Sequence, residues 1–108
     1  MKAVKLIVMY PAPTDLLTFE RRYAEEHVPM AVEKLDGKTR FVASLILSNA
    51  DKTAASFHRI AEVYFPSLGD LQACLSSPGG QETAAHAVEI SSGGAPVFLI
   101  SEVETFDF

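Results

Sequence analysis

Phe19-Glu20-Arg21-Arg22-Tyr23-Ala24-Glu25-Glu26-His27-Val28-Pro29-Met30 places a titratable imidazole on the apolar stripe of an amphipathic helix. Helical spacing puts Leu16, Phe19, Glu20, Tyr23, His27, Met30 and Ala31 on shared or neighbouring faces. A His on that stripe must find a hydrogen-bond partner inside the fold, and Tyr23, one turn earlier, is the nearest candidate. His27 is therefore either a pocket residue or a satisfied core residue. Pro29 removes a backbone donor and disfavours helical geometry at Val28, which predicts a kink just after His27 and a pocket mouth beside it.

On the amino-terminal side, Val4 to Tyr10 is a continuous apolar run closed by Pro11 and Pro13, which reads as a strand. Thr14 or Asp15 caps the helix, which ends near Lys34, before Asp36-Gly37. Phe41 to Ser48 and Phe57 to Phe65 are two further strands, and the short polar connection between them predicts antiparallel neighbours. Ser67 caps a second helix, with Asp70 at the positive end of its dipole and Leu68, Leu71 and Leu75 as its buried stripe. Ser77-Pro78 restarts the chain as a third helix through about Glu89. A Ser-Gly loop then leads to the last strand, Pro96 to Phe106.

The resulting order, strand, helix, strand, strand, helix, strand, predicts an α+β, ferredoxin-like subunit spanning residues 1–108 as one domain. Helices cover one sheet face. The other should be polar in a monomer, yet the strands carry apolar residues at both parities: Val4, Leu6 and Val8 against Ile7 and Met9, and Val97 and Leu99 against Phe98 and Ile100. A second copy of the chain stacked on that face is the economical cover, which predicts a homodimer.

Composition narrows the function classes. A formal charge of −5 over 108 residues gives no basic footprint for nucleic acid. The single cysteine, Cys74, cannot form an intrachain disulfide, which fits a reducing cytoplasm. No run approaches the ~20 apolar residues of a membrane span, and the start of the chain lacks a secretory signal pattern. His27, His58 and His86 show no His-x-x-x-His spacing, and Gly79-Gly80 and Gly93-Gly94 read as turns rather than phosphate cradles, so neither a metal nor a cofactor is expected.

Two segments, Leu6-Ile7-Val8-Met9-Tyr10-Pro11 and Phe19-Glu20-x-x-Tyr23-x-x-x-His27-Val28-Pro29-Met30, together resemble the EthD-type proteins of the dimeric α+β barrel superfamily. Ile60 to Ser67, followed by Leu71, Leu75 and Ser77-Pro78, is similar to that family's third strand and second helix. The resemblance covers almost the whole chain. It implies a ferredoxin-like subunit, a homodimer whose sheets form a barrel, and a small apolar pocket between sheet and helices. EthD-type proteins are associated with degradation of ethyl tert-butyl ether. Superfamily relatives include polyketide cyclases, muconolactone isomerases and monooxygenases that degrade haem or form quinones. In plant polyketide cyclases a Tyr and a His near the second helix carry the chemistry, and those places are held here by Cys74 and Gly80. The haem-degrading branch usually carries a functional tryptophan, and this chain has no Trp.

The expected catalytic residues are His27, as polar anchor or general acid/base, and Tyr23, which orients it. His58, Tyr64 and Cys74 complete the expected substrate-binding set. His58 and Tyr64 fall at even positions of the third strand and so share a face with Ile60 and Glu62. Cys74 reads as a small buried hydrophobe, and His86, set among small residues, as exposed. Three functions remain open: a cofactor-independent isomerase, cyclase or monooxygenase-like enzyme, an accessory or carrier protein of a catabolic pathway, and a structural dimer without ligand.

Overall fold

Alternation along one strand sets the frame. In the computed structural model, which describes residues 2–108, β1 (Val4–Pro11) buries Val4, Leu6, Val8 and Tyr10 and leaves Lys5, Ile7 and Met9 half-buried on the opposite face. It pairs antiparallel with β3 (Phe57–Phe65) on one side and β4 (Val97–Glu102) on the other, while β2 (Arg40–Leu45) adds antiparallel to β3. The sheet order is β2-β3-β1-β4. With the helices between strands, this is the ferredoxin-like α+β fold that the element order predicts.

Three of the helices start where a side chain satisfies a first free N–H group. Asp15 caps α1 (Leu16–Arg22), its carboxylate accepting from Thr18 N at 3.1 Å. Ser67 caps α3 (Leu68–Ser76) by accepting from Asp70 N at 3.2 Å, and Ser77 caps α4 (Pro78–Ile90) by accepting from Gly80 N at 3.0 Å. The α3–α4 corner is tight enough that a Cβ on Gly80 would lie 1.9 Å from the Cys74 carbonyl oxygen. Only glycine fits there unless α3 moves.

The kink predicted after His27 is replaced by a widened turn before Pro29. Residues Tyr23–His27 form a π-helical turn in which Val28 N–H bonds to Tyr23 O, and α2 (Val28–Lys34) resumes with Pro29 in its first turn. Proline in a regular helix would clash with the carbonyl four residues back, and the extra residue in the π turn relieves that conflict. The helix thus continues across Pro29.

One stripe of these helices and the inner sheet face make the core, with Tyr10, Phe19, Val63, Phe65 and Leu71 fully buried. Leu16 and Leu68, placed by periodicity on buried stripes, are instead exposed in the first turns of α1 and α3. β4 stops at Glu102 rather than Phe106, because its partner β1 begins at Val4 and the last bond beyond the pairing is Val103 N to Ala3 O. β2 ends at Leu45 rather than Ser48, after which Ile46 N still reaches His58 O. β4 lies at the sheet edge, so Phe98 and Ile100 stay exposed even on the inner face, and Val97 and Leu99 are exposed on the outer one.

Candidate functional site

Four rings stand in a column along the first helical region. Phe19 and Tyr23 stack at 5.6 Å between centroids, Tyr23 and His27 at 5.9 Å, and His27 and His86 of α4 at 5.2 Å with their planes 6° apart. Tyr10 of β1 stands edge-on to the first three. The i, i+4 spacing of Phe19, Tyr23 and His27 supplies three rings from one helix face. Topology adds the other two.

Stacking leaves His27 with partners other than the one predicted. Its Nε2 lies 3.1 Å from the Tyr10 hydroxyl, and its Nδ1 lies 2.9 Å from Nδ1 of His86. His86 Nε2 is 3.1 Å from Oε1 of Glu26, which also accepts from Arg22 Nε at 3.0 Å. Arg22 is itself paired with Glu89. A continuous hydrogen-bonded chain therefore runs from buried Tyr10 to the surface. The Tyr23 hydroxyl, expected to hold His27, is buried without a partner because the stacked geometry points it along the ring plane rather than at the imidazole.

Electrostatics follow position. His27 is only 5% exposed, and burial, with His86 beside it, lowers its pKa from 6.5 to about 4. It is neutral at pH 7. Burial drives the Tyr10 hydroxyl well above the usual phenol range and lifts Tyr23 to about 12. Glu26 is held below the usual carboxylate range by its hydrogen bond from His86, with Arg22 adding to the effect. Charge thus collects at the outer end of the chain and is excluded from the inner end.

Tyr10 and His27 line one wall of a cavity of about 30 Å³ between sheet and helices. The rest of its lining is almost all apolar, including Val8, Ala31, Val63, Ala87 and Phe98, with Thr83 the remaining side-chain hydroxyl. That hydroxyl donates to Gly79 O at 2.7 Å. Leu6, Leu75, Ala84 and Phe98 also border a surface groove of about 370 Å³, lined as well by Gln81 and Ile100, so the groove shares a wall with the cavity under the uncovered edge strand. The cavity by itself has room for about one water molecule, so an organic ligand needs the adjoining groove as well.

Of the sequence-predicted residues, His27 borders this cavity, and Tyr23 packs on His27 without lining it. His58 and Tyr64 are not on one face. The register of β1 against β3 shifts between Tyr10 and Pro11, leaving His58 as an extra residue between Phe57 and Arg59. This bulge turns its ring edge-on to Phe19 at 5.6 Å, with Nε2 3.5 Å from Glu20. Tyr64 stays on the outer face, flanked by Lys5 and Arg40. Cys74 is buried in α3, its thiol pKa raised by burial, and it does not line the cavity. His86, read as exposed, is instead half-buried, because α4 packs across the π turn. Tyr10 and His86 are the residues the sequence reading missed. Tyr10 shares the parity of Val4, Leu6 and Val8, which was a legible sign of an inward hydroxyl.

Glu20, Tyr23, His58 and Arg59 form a second polar cluster near the start of the column. Glu20 grips Arg59 through two contacts of 3.1 and 2.8 Å, and the guanidinium lies over the Tyr23 ring at 5.2 Å. Among the described residues, no group of three or more His, Cys, Asp or Glu side chains is arranged to hold a metal ion. Among the same residues, no helix is long and apolar enough to cross a membrane.

Comparison with known proteins bears on both fold and family. A sequence model described as the EthD domain matches residues 12–91. An uncharacterized 11.0 kDa protein of the thcB-thcC intergenic region of Rhodococcus erythropolis is 29% identical over 98 residues, covering 91% of this chain and 93% of that protein. The crystal structure of an ethyl tert-butyl ether d (EthD) family protein from Bacillus halodurans superposes with a TM-score of 0.86 at 24% identity, covering 94% of this chain and 99% of the other. The hydroxynitrile lyase of Passiflora edulis shares the fold at a TM-score of 0.73 and 20% identity, covering 98% of each chain.

Proposed function

The chain belongs to the EthD family, and on that footing we propose that it binds a small, mostly apolar, weakly acidic organic molecule in the cavity between helices and sheet. The observation that carries this reading is the Tyr10–His27 pair, 3.1 Å apart, on the wall of an otherwise apolar space that adjoins a groove. A neutral, hydrogen-bonded imidazole in a dry site suits a single proton transfer without a cofactor, as in an isomerisation, a cyclisation or a lactone rearrangement. His27 is the acid/base in this reading, acting on the bound molecule through the Tyr10 hydroxyl beside it. Tyr23 positions His27 by stacking, and His58, Tyr64 and Cys74 stand back from the bound molecule.

The chain acts as one domain and as a homodimer in this proposal. Ile7, Met9, Ile60, Val97 and Leu99 give the outer sheet face an apolar surface that another copy would cover. A buried free thiol at Cys74 suits a reducing cytoplasmic setting.

A thermal-shift screen of small phenols, aromatic aldehydes and lactones tests the reading, with His27→Ala as the control and light scattering to follow the dimer. Stabilisation of the wild type that is lost in the variant, with the dimer intact, supports it. Stabilisation without turnover assigns the accessory or carrier role. Ligands that stabilise both proteins equally contradict the site.

A further inference from the structure

We propose that a proton taken from a ligand in the cavity comes to rest on His86 rather than on His27, so that Tyr10 and His27 act as an uncharged wire. This rests on the pocket reading above and adds a direction to it. An ionised Glu26 can only accept hydrogen bonds, so His86 Nε2 is the donor across 3.1 Å. A neutral His86 then carries its lone pair on Nδ1, and the 2.9 Å contact requires His27 Nδ1 to hold the hydrogen. His27 Nε2 is consequently unprotonated, and the Tyr10 hydroxyl donates to it. What remains free at Tyr10 is an oxygen lone pair. The cavity therefore offers an acceptor, and its ligand class is a proton donor: a phenol, an enol, or a carbon acid beside a carbonyl.

Proton removal reverses the whole chain. The ligand O–H or C–H bond breaks and its proton joins the Tyr10 oxygen, while the proton of Tyr10 joins His27 Nε2. The His27 Nδ1 proton joins His86 Nδ1. The products are a ligand anion facing a Tyr10 hydroxyl that now donates, a neutral His27 protonated on Nε2, and a His86 imidazolium against the Glu26 carboxylate. Charge is conserved, and returning the proton to a different ligand atom completes an isomerisation. Burial disfavours charge on His27, which among the described residues has no carboxylate in contact, whereas His86, its side chain 11% exposed, lies 3.1 Å from the Glu26 carboxylate.

The charged and titratable groups around this pair come from several elements. His86 meets His27 and Glu26 from the π turn, with Arg22 bridging Glu26 to Glu89 and Arg21 at 3.7 Å from Glu26. Glu82 and Glu89 share the helix of His86, and Glu82 is paired with Lys34 of α2. His27 meets Tyr10 of β1 and Tyr23, over which lies Arg59 of β3. His86 and Glu26 act through His27 and are positioning residues.

Long-range proton–nitrogen correlation spectra of the full chain read this directly. At about pH 8 the expected pattern is His27 protonated on Nδ1 alone and His86 on Nε2 alone. As the pH is lowered, His27 should switch to the Nε2–H form while staying neutral. Glu26→Ala should leave His27 as a mixture of tautomers. His27 carrying Nε2–H at the start, charging together with His86, or keeping one tautomer in Glu26→Ala would each overturn the inference. Phenol and benzaldehyde then separate it from the pocket reading. At about pH 8 phenol should bind at least about tenfold more tightly. Preference for benzaldehyde overturns the direction alone, and failure of both to bind overturns the pocket and the direction together.

Discussion

The two polar clusters along the aromatic column are built from similar residues and solve opposite problems. At the His27 end, Tyr10, His27, His86 and Glu26 are joined without a gap, and the charge sits at the half-buried outer end. Near Phe19, Glu20 and Arg59 neutralise each other, yet the Tyr23 hydroxyl is buried without a partner and His58 Nε2 makes no hydrogen bond, its contact with Glu20 being 3.5 Å long. One cluster satisfies every group and borders a cavity. The other clamps α1 to β3 and tolerates two unsatisfied atoms. A hydroxyl therefore matters here for what it meets, not for being a buried tyrosine.

The largest expected effect concerns protonation. Because the folded state lowers the His27 pKa from 6.5 to about 4, the unfolded chain binds the extra proton between those values, and stability rises with pH across that window. The contribution is complete above pH 6.5 and is lost as the pH falls towards 4, by about 3 kcal/mol in all. Denaturant melts of wild type and His27→Gln at several pH values check this, and the difference between the two proteins should shrink towards the acid end.

Tyr10→Phe comes next. It removes the donor facing His27 Nε2 and should cost about 2 kcal/mol in chemical denaturation. Glu20→Gln leaves Arg59 without its counter-charge, but both side chains are partly solvated, so a smaller loss of about 1 kcal/mol is expected by the same measurement. Tyr23→Phe removes a hydroxyl that bonds to nothing and should leave stability within about 0.5 kcal/mol of wild type or raise it. A large loss from Tyr23→Phe would erase the distinction between the clusters.

These contrasts also mark what could be read without a structure. Element order was legible because its signals are local: alternation in Val4 to Tyr10, and caps at Asp15, Ser67 and Ser77. Strand ends were not, since β4 stops where its partner backbone runs out. The inward direction of His27 followed from helical spacing, whereas its partners lie 17 and 59 residues away and arrive only through topology. His58 defeated the parity rule because a bulge inserts a residue opposite the end of β1. The π turn was half legible, in that Pro29 signalled a disturbance whose form depends on how the helix packs.

Calorimetric titration of phenol into wild type, Tyr10→Phe and Tyr23→Phe tests the central claim, that the bonded cluster and not the clamp is the polar end of the site. Equal binding by wild type and Tyr23→Phe, with at least about tenfold weaker binding by Tyr10→Phe, is the predicted result. Loss of binding in Tyr23→Phe with Tyr10→Phe unaffected would contradict it.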